Sequence, residues 1–126
     1  VAAKHRCVLL VEDDISIRET LKDVCEAEGY IVFMASNGAE ALRKLEVIPK
    51  PCLILCDLMM PVMNGWDFLD RLSADQDFAV VPVVVMSAVS PEGIRRRVKA
   101  IRKPFDIEAI IGTIREACGG CPRIAS

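Results

Sequence analysis

Apolar positions along the chain fall into two kinds of run that alternate. Four short blocks are apolar at nearly every position: Cys7–Val11, Ile31–Ala35, Leu53–Cys56 and Val83–Met86. Blocks of this length bounded by Gly, Pro and Asn read as strands, and the continuous apolarity of the first, third and fourth marks strands covered on both faces. Between them, apolar residues recur at helical spacing. Ile17, Leu21, Val24 and Cys25 share one face, as do Ala41, Leu42 and Leu45, then Gly65, Phe68, Leu69 and Leu72. The clearest stripe is Ile107, Ile110, Ile111, Ile114 and Cys118. Gly29, Asn37-Gly38, Pro49, Pro51 and Pro82 punctuate the alternation. Ala100–Arg102 is a weaker fifth strand. Ser90-Pro91 reads as an N-cap with proline at the first helical position, which predicts a helix of about two turns from Pro91 to Val98.

The pattern predicts an α/β chain of (βα)5 type, a doubly wound five-stranded parallel sheet with helices on both faces and right-handed crossovers. In such sheets, sites form beyond the carboxyl ends of the strands, where the strand order reverses. Strand one runs into Glu12, Asp13 and Asp14, strand three into Asp57, strand four into Ser87 and strand five into Lys103. With strand order 2-1-3-4-5, strands one and three are neighbours and their carboxylates converge. Crowded carboxylates repel one another, and a hard divalent cation such as Mg²⁺ relieves the repulsion through oxygen ligands. With a lysine and a hydroxyl beside them, the groups suit attack by Asp57 on a phosphoryl group. Asp14 reads as a helix N-cap or first-turn acid, Pro61 and Gly65 as loop-shaping residues, and Asp67, Asp70 and Asp75 as a solvated helix face.

Composition narrows the setting. The chain has 126 residues, enough for one domain with one core, and 52% of them are hydrophobic, which excludes disorder. Net charge is −2 and no apolar run approaches the roughly 18 residues of a membrane span. The start, VAAKHRC, has no signal-peptide core, so the expected location is cytoplasmic, with no membrane contact. Of the six cysteines, Cys7, Cys25, Cys52, Cys56 and Cys118 lie in or beside apolar runs and read as small buried hydrophobes in reduced form. Cys118 and Cys121 form a C-x-x-C that follows a helical stripe instead of opening one, and it supplies only two ligands.

In four stretches, LLVEDDISIR, CDLMMPVMNGWDFL, VVMSA and KPF, in that order, the chain resembles the receiver domain of two-component response regulators, of the chemotaxis-regulator kind. The resemblance covers residues 6 to 118 and leaves 1–5 and 119–126 as terminal extensions. It implies a flavodoxin-like fold and assigns Asp57 as phosphoacceptor. It also implies a Mg²⁺ site made by Glu12, Asp13, Asp57 and the backbone carbonyl of Met59, with Ser87 and Lys103 as the assisting hydroxyl and lysine. It implies a phosphohistidine donor on a sensor histidine kinase or phosphotransfer protein, so that His5 needs no role, and a cis bond between Lys103 and Pro104. The expected role is a signalling switch or phosphorelay carrier that is not a turnover enzyme, whether stand-alone or part of a longer regulator.

Two departures from the family pattern stand out. Lys103 lies sixteen positions after Ser87, fewer than in the family's usual crossover, so the fourth helix is expected to be shortened. Ala100 stands where the family generally carries an aromatic residue that couples to the hydroxyl. The same region is basic, with Arg95, Arg96, Arg97, Lys99 and Arg102. It reads as a solvated face or as docking surface for an acidic output partner, with direct nucleic-acid binding disfavoured. Two other functions compete. A pseudo-receiver would bind partners without phosphorylation. A haloacid-dehalogenase-type phosphatase would need an aspartate two residues after Asp57, where Met59 stands.

Overall fold

The computed structural model describes residues 6–94 and 98–117. His5, Arg95, Arg96, Arg97, Cys118 and Cys121 therefore lie outside the described residues. The elements are β1 (Cys7–Val11), α1 (Ile15–Ala27), β2 (Ile31–Ala35), α2 (Gly38–Leu45), β3 (Leu53–Asp57), α3 (Gly65–Ala74), β4 (Val83–Ser87), β5 (Lys99–Arg102) and α4 (Ile107–Ala117). All strand pairings are parallel and the order is β2-β1-β3-β4-β5, as the sequence pattern predicts.

Every residue of β1, β3 and β4 is buried, and side-chain alternation divides them between two cores. Leu9, Val11, Ile54, Cys56, Val83 and Val85 face the layer of α2 and α3, where Phe68, Leu69 and Leu72 pack. Val8, Leu10, Leu53, Leu55, Val84 and Met86 face α1 and α4, against Leu21, Cys25, Ile110 and Ile114. Each of these fully buried aliphatic side chains contributes roughly 1.5–3 kcal/mol. The helices start in one way. The side chains of Asp14, Asn37 and Asn64 accept the backbone N–H three residues on, and Asp106 does the same for Ala109. Each satisfies one of the free donors of a first turn.

The crossover from β4 to β5 departs from expectation. Pro91 to Ile94 form a turn in place of the predicted helix, and residues 95–97 lie outside the described residues. Gly93 takes φ 89°, a left-handed conformation that ends helices and does not extend them. Only eleven residues separate the two strands, which leaves little length for a packed helix. Ser90 and Pro91 therefore carry a helix-start signal that is not followed by helix as far as Ile94. Trp66 holds the turn from the other side, its Nε1 donating to the Glu92 carbonyl at 2.7 Å.

Candidate functional site at the carboxyl edge of the sheet

The structure brings Glu12, Asp13, Asp57 and Lys103 together beyond the ends of β1, β3 and β5. Register explains it: Val11 pairs with Cys56, so the next residues, Glu12 and Asp57, leave adjacent strands side by side. Carboxylate oxygens of Glu12, Asp13 and Asp57 lie within 4.8 Å of one another. Lys103 Nζ reaches both buried carboxylates, 2.9 Å from Glu12 Oε1 and 3.0 Å from Asp57 Oδ2. The Lys103-Pro104 bond is cis, and the Lys103 N–H donates to the Ser87 carbonyl at 2.9 Å.

The neighbouring residues fix this constellation. Glu12 Oε2 accepts the Asp14 N–H, and Arg18 Nη1 donates to the Glu12 carbonyl at 2.8 Å. Asp14 itself caps α1, which separates its role from that of Asp13. Asp57 Oδ1 accepts the Met59 N–H at 3.2 Å, while the Met59 side chain is exposed. Ser87 is buried and its Oγ accepts the Val89 N–H at 3.0 Å. After Asp57 the chain turns sharply at Val62, with φ 68° and a 2.7 Å bond from the Met63 N–H to the Pro61 carbonyl. That is the rare, strained form of a three-residue turn. Gly65 then brings α3 back onto the strand end, its N–H donating to the Leu58 carbonyl at 2.9 Å. A Cβ at Gly65 would lie 2.5 Å from the Asp57 carbonyl oxygen, so the approach requires glycine.

Burial sets the electrostatics. It pushes Glu12 up to about 7, with the Asp57 charge adding to the effect and the Lys103 hydrogen bond opposing it. Burial works against the Lys103 ammonium, but its hydrogen bonds to Glu12 and Asp57 outweigh this and hold it above its ordinary range. Cys56, beneath the site, is raised by burial and by the charges of Asp57 and Glu12, which keeps it an inert thiol. Cys7 and Cys56 carry free thiols.

Three contributors escape the sequence pattern. Arg18 holds the Glu12 carbonyl from the far side of the first helical turn, the closeness of Gly65 to Asp57 needs the fold, and Trp66 turns to the crossover and not to the carboxylates. A glycine directly after the capping Asn64 is the one signal that flags the second.

A parallel doubly wound sheet with a carboxylate cluster and a lysine at its switch point defines a class of α/β proteins with a polar site on one edge. Within it, a sequence profile described as the response regulator receiver domain matches residues 8–115, and the chain belongs to that family. It is 30% identical over 120 residues to the polar-differentiation response regulator DivK of Brucella anthropi, covering 90% of this chain and 97% of that protein. It is 32% identical over 114 residues to response regulator RR06 of Streptococcus pneumoniae, covering 86% of this chain but only 51% of the relative. The chain thus spans about half of some relatives and nearly all of others. Among solved structures, the chemotaxis response regulator CheY4 of Vibrio cholerae aligns at 28% identity with TM-score 0.82, over 90% of this chain and 99% of its own. The receiver domain of a histidine kinase from Syntrophus aciditrophicus aligns equally well, over 94% of both chains.

The protein is therefore a receiver domain of the two-component type. Receiver domains are signalling modules, not turnover enzymes, and they work with histidine kinases or phosphotransfer proteins. They typically bind Mg²⁺ in an acidic pocket, and the Glu12–Asp13–Asp57 cluster is compatible with one. No helix among the described residues is long and apolar enough to cross a membrane.

Proposed function

We propose that Asp57 accepts a phosphoryl group from a phosphohistidine on a partner kinase or phosphotransfer protein, and that the chain acts as a switch or relay within residues 6–118. The observation that carries this reading is the bridging of two buried carboxylates by Lys103, with Asp13 beside them and open to solvent. An Asp57 carboxylate oxygen forms the new bond to phosphorus while the bond from phosphorus to the donor imidazole nitrogen breaks. Lys103 transfers its hydrogen bond from Asp57 to a phosphoryl oxygen, and the Ser87 hydroxyl donates to another. Glu12, Asp13, Asp57 and the Met59 carbonyl would hold Mg²⁺, which supplies charge neutralisation for the incoming group. Asp13 offers the entry side, Glu12 the buried one. The thiols of Cys7 and Cys56, kept reduced in the core, support a reducing, cytoplasmic setting.

A pseudo-receiver reading draws on Ala100 and on the turn that replaces the fourth crossover helix. A phosphatase reading founders on Met59, which cannot carry a proton. Incubation with acetyl phosphate and Mg²⁺, followed by intact mass, distinguishes the three. A single stable adduct that Asp57→Asn abolishes supports the receiver. Steady phosphate release supports the phosphatase, no reaction the pseudo-receiver, and persistent labelling of Asp57→Asn overturns the assignment.

A further inference from the structure

The three carboxylates of the cluster are not held alike. Lys103 bridges Glu12 and Asp57, which are both buried, whereas Asp13 is exposed. Among the described residues, no hydrogen bond or ion pair holds the Asp13 carboxylate. Its place within 4.8 Å of the other two is therefore set by the backbone that carries it.

That backbone is pinned on both sides by side chains. Arg18 Nη1 donates to the Glu12 carbonyl at 2.8 Å, which fixes the peptide plane entering Asp13. The Asp14 N–H donates to Glu12 Oε2 at 3.2 Å, which fixes the plane leaving it. Upstream, the Glu12 N–H donates to the Ala35 carbonyl at 3.0 Å and ties the turn to β2. Arg18 is anchored at the same turn, its own N–H donating to the Asp14 carbonyl at 2.9 Å. One residue thus spans the turn from β1 into α1, with its backbone on Asp14 and its guanidinium on Glu12.

A guanidinium so close to a cation site acts in two opposite directions. Its charge repels the cation. Its hydrogen bond aims a ligand, and Mg²⁺ demands near-ideal octahedral geometry at roughly 2.0–2.1 Å, so a carboxylate that swings free is lost to it. We propose that Arg18 is a positioning residue for the metal site: through the Glu12 carbonyl it holds the peptide plane that aims Asp13 at the cation. The proposal rests on the reading of the acidic cluster as a Mg²⁺ site. The aiming effect exceeds the repulsion, so a basic side chain raises the affinity for a cation.

The test measures Mg²⁺ binding to the whole chain by calorimetry, without any phosphoryl donor, and urea melts without metal establish that each variant is folded. Arg18→Met should weaken binding about tenfold or more, as residues that orient metal ligands typically do. Charge alone predicts the opposite sign. In an Asp13→Asn background the same substitution should change affinity by less than about twofold, because its route is gone. Asp14→Ala, which loosens the start of α1 by removing its cap, should also stay within about twofold. If Arg18→Met does not fold, Arg18→Lys carries the same comparison with a smaller loss in the same direction, since an ammonium lacks the planar fork. Unchanged or tighter binding in the folded Arg18 variant overturns the proposal. So does an equal loss in the Asp13→Asn background, or an equal loss in Asp14→Ala. Absence of Mg²⁺ binding by the parent chain overturns the reading of the cluster itself, and this proposal with it.

Discussion

Glu12 shows how a single residue can work against the fold that holds it. Its carboxyl, ordinarily near 4.5, is pushed up to about 7 chiefly by burial. Between those values the folded chain keeps a proton that the unfolded chain has released. The stabilising contribution of the group is therefore complete below about 4.5 and is lost as pH rises through about 7. Glu12→Gln should thus gain stability over the parent as pH is raised from about 5 to about 8, by about 1–3 kcal/mol in urea melts. A constant difference across that range would contradict the buried, proton-holding carboxyl. Met59 and Val89 bear on a different property. Both are exposed, two residues after Asp57 and Ser87, and neither side chain can orient a water with a strong hydrogen bond. A phosphoryl group on Asp57 should therefore be lost slowly. Met59→Asn with Val89→Glu should speed its decay about tenfold, about 1.4 kcal/mol of barrier, as read from labelled protein after donor removal. Asp13 and Asp14 differ for a reason that residue type alone does not reveal: one carboxylate joins the cluster while the other closes a helix end.

At the level of elements, strands were the most legible part of the chain. β1 and β2 run over the same residues that the apolar blocks predict, β1 because a strand covered on both faces can hold few polar residues, β2 although it is a half-buried edge strand. The three longer stripes became α1, α3 and α4 for a similar reason, since each lays one apolar face on the sheet. The helix start expected at Pro91 was misread because Ser90-Pro91 is a local signal, whereas the conformation of Gly93 and the grip of Trp66 act from outside that pair. The start of α3 was half legible. Gly65 could be read as a loop-shaping residue at that start, but not the Asn64 cap or the contact with Asp57. Gly65→Ala should force that contact apart, because the new methyl meets backbone and has no flexible side chain to displace. A loss of about 1–3 kcal/mol in thermal or urea unfolding is expected, with slower labelling of Asp57 in the folded fraction. Unchanged stability and labelling would show that α3 can retreat without disturbing the strand end.

For the molecule as a whole, fold and site were readable together because the same topology that buries five parallel strands also gathers their polar ends on one edge. What the pattern could not give was the direction of individual side chains: the joint reach of Lys103 to Glu12 and Asp57, or the turn of Trp66 toward Glu92. The two cores depend on different helices. Ile114 of α4 is fully buried beneath the α1–α4 face, and Ile114→Ala should cost roughly 2–5 kcal/mol by urea denaturation. A cost below about 1 kcal/mol would mean that α4 repacks easily. Lys103 carries a consequence of another kind. By spanning two buried carboxylates it is a tethered counterion, competing at all times with any dissolved cation for the same oxygens. An entering divalent ion must first outbid a charge that never diffuses away. The metal-free fold therefore already carries one fixed positive charge where its carboxylates would otherwise repel one another, and a divalent cation bound there would have to share those oxygens with the lysine or displace it.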